Sequence, residues 1–147
     1  LEMEGFLTPE FKVLELGSGG STIFFSKRCK TVKSYDHNPS WISYVKTKLL
    51  DPSNVTFVCG SIDETEKLLE KESSDYDLIL VDSGPTDVER KRALDIVIPK
   101  VKVNGYLVLD NYNDPLFRKY NFRGWKVFTY DQFKYGGKGT KICVKRF

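Results

Sequence analysis

The stretch Val13-Leu14-Glu15-Leu16-Gly17-Ser18-Gly19-Gly20-Ser21-Thr22 decides how this chain is read. A short apolar run stops at a glycine-rich turn, and a polar segment suited to a helix follows. The missing Cβ atoms at Gly17, Gly19 and Gly20 let backbone N–H groups of the turn, Ser18 included, approach a ligand closely. Asp36 ends the next run, Thr31-Val32-Lys33-Ser34-Tyr35-Asp36, 21 residues after Glu15. A carboxylate there can accept hydrogen bonds from both hydroxyls of a ribose. The pairing describes a site for a nucleotide-like cofactor.

The spacing narrows the cofactor. Dinucleotide sites favour G-x-G-x-x-G, and here Gly17 and Gly19 fit while Thr22 takes the third place. Glu15, two residues before the first glycine, would repel a pyrophosphate but would suit a cofactor with a cationic end.

Outward from this stretch, short apolar runs alternate with longer amphipathic segments, the rhythm of repeated βα units around a mostly parallel sheet. Strands are predicted at 12–16, 31–36, 55–59, 76–82 and 106–110. Helices are predicted from Pro39 to Leu50 with Ile42, Val45 and Leu49 on one face, over 62–72, and from Thr86 to Val101 with Val88, Leu94 and Val97 inward. Asp51 to Asn54, Ser73-Ser74 and Asn104-Gly105 punctuate the units as turns. Two closing strands are expected in 123–130 and 139–147. Ligands of open α/β sheets bind beyond the carboxyl ends of parallel strands, so the loops after 16, 36, 59, 82 and 110 should share one rim. A parallel sixth strand would bring the loop from Asp131 to Gly139 there too.

On these motifs the chain resembles the class I S-adenosylmethionine-dependent methyltransferases, whose first motif reads like Val13 to Gly19 and whose second ends in an acid like Asp36. The resemblance spans nearly all 147 residues, as one domain. It implies a Rossmann-like α/β fold with helices on both faces and a seven-stranded sheet of order 3-2-1-4-5-7-6, the last strand antiparallel. It implies that Glu15, Gly17, Ser18 and Gly19 bind the methionine end and Asp36 the ribose. Ser61 and Ile62 stand where the class touches adenine, though Ser61 reads equally as a helix cap. His37 either reaches the adenosine or packs in its turn. Trp41 reads as core in preference to a lid.

Asp82 and the pair Asp110-Asn111 end strands that the implied order makes neighbours. Two carboxylates and an amide carbonyl suit Mg²⁺ or Ca²⁺, which prefer oxygen. This arrangement is similar to the metal-dependent O-methyltransferases of the catechol, caffeoyl-CoA and macrolide-sugar types, implying Asp82, Asp110 and Asn111 as ligands and Asp82 as catalytic. The metal would acidify a substrate hydroxyl and orient it toward the methyl carbon. Equally, methyltransferases without metal keep an acid like Asp82 to hold the methionine part. Catechol-type relatives carry a lysine base three residues after the first aspartate, where this chain has Pro85. Asp87, Lys91 and Tyr112 are the alternatives for the base.

Composition sets the partners. Hydrophobic residues make up 40% and charged residues 29%, ordinary for a globular protein, and no apolar run approaches a membrane span. Cys29, Cys59 and Cys143 are odd in number and far apart, which fits reduced thiols and a cytoplasmic location better than a disulfide framework or zinc knuckle. The chain begins at Leu1, without a basic-then-apolar secretory start. Net charge is −4 over residues 1–111 and +7 over 112–147, and the latter segment holds half of the aromatics. Basic residues interleaved with aromatics can track phosphates and stack bases, or can simply solvate and fill closing strands. The expected acceptor is a hydroxyl of a small molecule or sugar. The alternatives are methylation of a nucleic acid or other anionic polymer through the basic, aromatic C-terminal segment, or service as a non-catalytic S-adenosylmethionine-binding subunit.

Overall fold

Parallel pairing of short, apolar strands organises the computed structural model, which describes residues 5–82, 86–111, 120–130 and 139–147. The first half alternates β1 (Lys12–Leu16), α1 (Gly20–Ser26), β2 (Thr31–Asp36), α2 (Pro39–Lys48), β3 (Val55–Cys59), α3 (Ile62–Glu70), β4 (Tyr76–Val81) and α4 (Asp87–Val97). A 3₁₀ turn, Ile98–Lys100, leads into β5 (Val101–Asp110), and β6 (Lys126–Tyr130) and β7 (Thr140–Val144) close the sheet. The strand order is β3-β2-β1-β4-β5-β7-β6, with β7 antiparallel to both of its neighbours. The expected topology is therefore the observed one, and β6 runs parallel to β5.

Side-chain alternation splits the core into two layers. Leu14 and Leu16 of β1 pack with Leu69 of α3 and with Ala93, Leu94 and Val97 of α4. Val13, just before them, faces the other way and packs with Phe25 of α1, Val32 of β2 and Leu80 of β4. Helices thus cover both faces. β4, central in the sheet, is buried along its whole length, whereas the edge strand β6 is mostly exposed. Lys100 is buried, and its ammonium donates to the carbonyls of Glu70 and Glu72 at 2.7 Å each, neutralising the carboxyl end of α3.

Three local expectations change. Asn104-Gly105 does not separate two units, because β5 runs through it as an irregularity in which pairing with β4 jumps from Tyr76↔Val101 to Leu78↔Tyr106. Asn104 sits at φ 65°, and a Cβ on Gly105 would lie 2.8 Å from the Lys102 carbonyl, so the sequence signal is real but marks a bulge. Val88 is 69% exposed, and Ala93 takes its expected place beside Leu94 and Val97. α2 ends at Lys48, leaving Leu49 as its cap. Of the other motifs, Pro85, Tyr112 and all but Gly139 of the 131–139 loop lie outside the described residues.

Glu15 explains why α1 sits where it does. It shares the face of Val13, pairs with Ser34 across the β1–β2 ladder, and is wholly buried under the first turn of α1. Its carboxylate accepts the hydroxyls of Thr22 at 2.5 Å and Ser34 at 2.7 Å, and that of Ser21 as well. Burial dominates over those bonds and pushes its pKa from 4.5 up to about 7, with a smaller contribution from Asp82. A raised carboxyl pKa favours the protonated native form. Stability from this group is full below pH 4.5 and is lost as pH rises through about 7. Thermal melts between those pH values should show Tm falling with pH, and Glu15→Gln should flatten that slope.

Candidate active site

Parallel register brings the carboxyl ends of β1 to β4 to one level, and three main-chain bonds carry the ladder past the strands. Gly17 N–H donates to the Tyr35 carbonyl at 2.7 Å, Gly60 N–H to that of Asp36 at 3.0 Å, and Asp82 N–H to that of Leu16 at 2.9 Å. Two of these positions need glycine. Gly17 has φ 102°, and a Cβ on Gly60 would stand 2.7 Å from Thr65 Cγ2.

A closed circuit of hydrogen bonds shapes the glycine turn. One Asp36 oxygen accepts from Ser18 N–H and the other from Asn38 N–H, both at 2.9 Å. Asn38 caps α2 by accepting from Trp41 N–H at 3.1 Å. The Trp41 indole N–H returns to the Ser18 carbonyl at 2.7 Å. The peptide units on both sides of Ser18 are thus held, and Gly19 lies close enough to Trp41 that a Cβ would touch the ring at 3.9 Å. Trp41 is not core as expected: it is 43% exposed and stacks on Tyr44 with ring centroids 5.3 Å apart.

Beside this turn, a pocket of about 580 Å³ of open space is lined by Leu16, Tyr35, Asp36, His37, Gly60, Ser61, Ile62, Thr65, Leu69, Glu89 and Ala93. Four residues singled out from the sequence, Asp36, His37, Ser61 and Ile62, therefore share one cavity. Each Asp36 oxygen gives one lone pair to the turn, and a carboxylate oxygen has a second to offer a ligand. His37 stands at the mouth, its Nδ1 3.8 Å from Asp36 Oδ1. Ser61 belongs to a capping box, its N–H donating to Glu64 Oε2 at 2.7 Å and its hydroxyl accepting from Glu64 N–H at 3.4 Å. Glu15, expected to touch a cationic ligand directly, lies beneath the turn with no exposure. The hydroxyls of Ser21, Thr22 and Ser34 surround its carboxylate.

Pairing of Val81 with Leu109 places Asp82 and Asp110 level on neighbouring strands, where the two carboxyl groups interact. Desolvation, then the Asp110 carboxylate, push the pKa of Asp82 from 3.8 up to about 6. Thr140 Oγ1 donates to Asp110 Oδ1 at 3.2 Å, and Asn111 turns the chain off the rim at φ 54°. Among the described residues, no group of three or more His, Cys, Asp or Glu could hold a metal. Two carboxylates and an amide oxygen remain, the donor chemistry of a hard cation. Of the alternatives for a base, Lys91 is paired with Asp95 at 2.6 Å, and Asp87 lies in the first turn of α4.

Sequence reading missed Leu16, Tyr35, Gly60, Thr65, Leu69, Glu89 and Ala93 as pocket residues. Glu89 and Ala93 are four apart on a helix and so share a face, but which pocket that face meets is set by packing.

Residues 14–112 match the family model described as a methyltransferase domain. No curated protein sequence matches. Among solved structures, a candidate caffeoyl-CoA O-methyltransferase from Staphylococcus aureus is similar, with 18% identity and TM-score 0.66 over 90% of this chain and 75% of that one. An rRNA methylase from Streptococcus thermophilus has 14% identity and TM-score 0.72 over 99% and 92% of the two chains. A candidate methyltransferase from Streptococcus mutans, solved with S-adenosylhomocysteine, has 13% identity and TM-score 0.72 over 97% and 93%. Among the described residues, no helix is long and apolar enough to cross a membrane. With the family model covering two thirds of its length on this sheet order, the chain belongs to the methyltransferase-domain family and is a Rossmann-like S-adenosylmethionine-dependent methyltransferase.

Proposed function

We propose that the protein moves the methyl group of S-adenosylmethionine to a hydroxyl oxygen of a small molecule or sugar. The observation that carries this reading is the juxtaposition of two oxygen-rich stations on one rim. Asp36, at the end of β2, lines the nucleoside pocket, and the Asp82–Asp110 pair stands at the ends of β4 and β5 on the far side of β1. In this reading Asp36 accepts both ribose hydroxyls, and the turn at Gly17, Ser18 and Gly19 receives the methionine end. Ser61 and Ile62 form the floor near adenine.

The chemistry is an in-line displacement at the methyl carbon. The acceptor oxygen forms a bond to that carbon, the carbon–sulfur bond breaks, and the sulfonium becomes a neutral thioether. Where no cation is bound, the hydroxyl proton passes to Asp82, whose pKa of about 6 places it near the range useful to a general base at neutral pH. Glu15 acts at a distance, positioning α1 and the turn. The residues fit Mg²⁺ through Asp82, Asp110 and Asn111, and when bound it would acidify the acceptor hydroxyl.

Two measurements test this. Calorimetry with S-adenosylhomocysteine should show Asp36→Ala weakened about 10- to 100-fold, since bonds to a charged acceptor contribute about 1.5 to 3 kcal/mol each. Equal affinities would remove the ribose assignment. For the metal, a chelator should abolish turnover of a hydroxyl acceptor and Asp110→Ala should reproduce that loss; undiminished turnover in chelator rejects the cation and leaves Asp82 as the base.

A second reading, methylation of nucleic acid, has its own support. The sheet face over β5, β7 and β6 presents Tyr106, Phe128 and Tyr130 with Lys126 and Arg146 in one open groove, and the last 36 residues carry +7. Phosphate contacts make affinity fall steeply with ionic strength. A gel-shift titration of single-stranded RNA with rising salt is expected to show that steep dependence only if this groove serves the acceptor.

A further inference from the structure

We propose that Glu89 selects the base of the cofactor by accepting a hydrogen bond from the exocyclic amine of a 6-aminopurine. This rests on the reading of the Asp36 pocket as the nucleoside site. Leu16, Ile62, Leu69 and Ala93 give that pocket apolar walls suited to a flat ring. A 6-aminopurine also needs an acceptor at its edge, because its amine is a donor. Asp36 is committed to the ribose end and to the turn.

At the β3 end, both oxygens of Ser61 already carry protein partners. Ser61 hydroxyl takes Glu64 N–H at 3.4 Å, and Ser61 carbonyl takes Thr65 N–H at 3.0 Å and Thr65 Oγ1 at 2.8 Å. The Tyr35 hydroxyl is donated to Glu72 at 2.6 Å. Glu89 enters from the opposite wall, on α4. Thr86 Oγ1 donates to its Oε2 at 2.9 Å, which uses one of the roughly four acceptor positions of a carboxylate. Arg92, one turn further along α4, is bonded to Asp63 at 2.7 Å and Glu66 at 2.5 Å of α3. That fork holds α4 against α3 and so sets how far Glu89 stands from the apolar slot. A 6-oxopurine would place its carbonyl oxygen against the same carboxylate and be repelled.

The test compares S-adenosylhomocysteine with its 6-deamino analogue, in which hydrogen replaces the amine, by calorimetry on the whole chain. Wild type should prefer the amine by about tenfold or more, the scale of one hydrogen bond to a charged acceptor. Glu89→Ala should lose that preference by weakening only S-adenosylhomocysteine, and Glu89→Gln, which keeps a carbonyl acceptor, should retain part of it. Equal weakening of both ligands by Glu89→Ala, or no weakening of either, overturns the assignment. Wild type binding neither ligand overturns instead the reading of the pocket as a nucleoside site, and this proposal with it.

Discussion

The Asp36 carboxylate is the tie on which the rim depends. It ends β2, yet its oxygens grip main-chain N–H groups on both sides, Ser18 in the turn after β1 and Asn38 before α2. A glycine-rich turn has many backbone conformations to lose, and fixing it costs entropy for each residue ordered. Bonds to an ionised acceptor oppose that cost more strongly than neutral ones. The indole of Trp41 completes the restraint from outside the sheet.

Around this tie the acids divide by environment. Asp36 keeps two N–H partners and faces the pocket. Glu15 is sealed beneath α1, where burial raises its pKa to about 7. Asp82 is raised to about 6 by desolvation and by Asp110. Glu15 and Asp82 thus hold their protons to higher pH than free carboxyl groups do, the first through burial and the second through burial and a neighbouring carboxylate.

Much of the architecture was legible in the residues. β1, β2 and β3 begin and end where predicted because each is a five- or six-residue run bounded by a turn or helix signal. The rim acids were legible because strand ends in parallel sheets converge. The exceptions share a cause. Asn104-Gly105 has turn chemistry, but pairing of β5 with β4 and β7 outweighs it and leaves a bulge. Val88 is apolar in phase with its helix, yet it precedes the part of α4 that meets the sheet. Leu94 and Val97 are the ones buried.

The sequence by itself determined the strand and helix rhythm, the glycine turn, and the acids at the ends of β1, β2, β4 and β5, since these follow from local periodicity and residue type. Only the tertiary structure decided what each acid does. That Glu15 is enclosed by Ser21, Thr22 and Ser34, that Asp36 meets Ser18, and that Glu89 crosses from α4 to the pocket are contacts between residues distant along the chain or on different elements. Their geometry is set by how helices pack on a twisted sheet, and packing distances are not written in the spacing of residues along one strand.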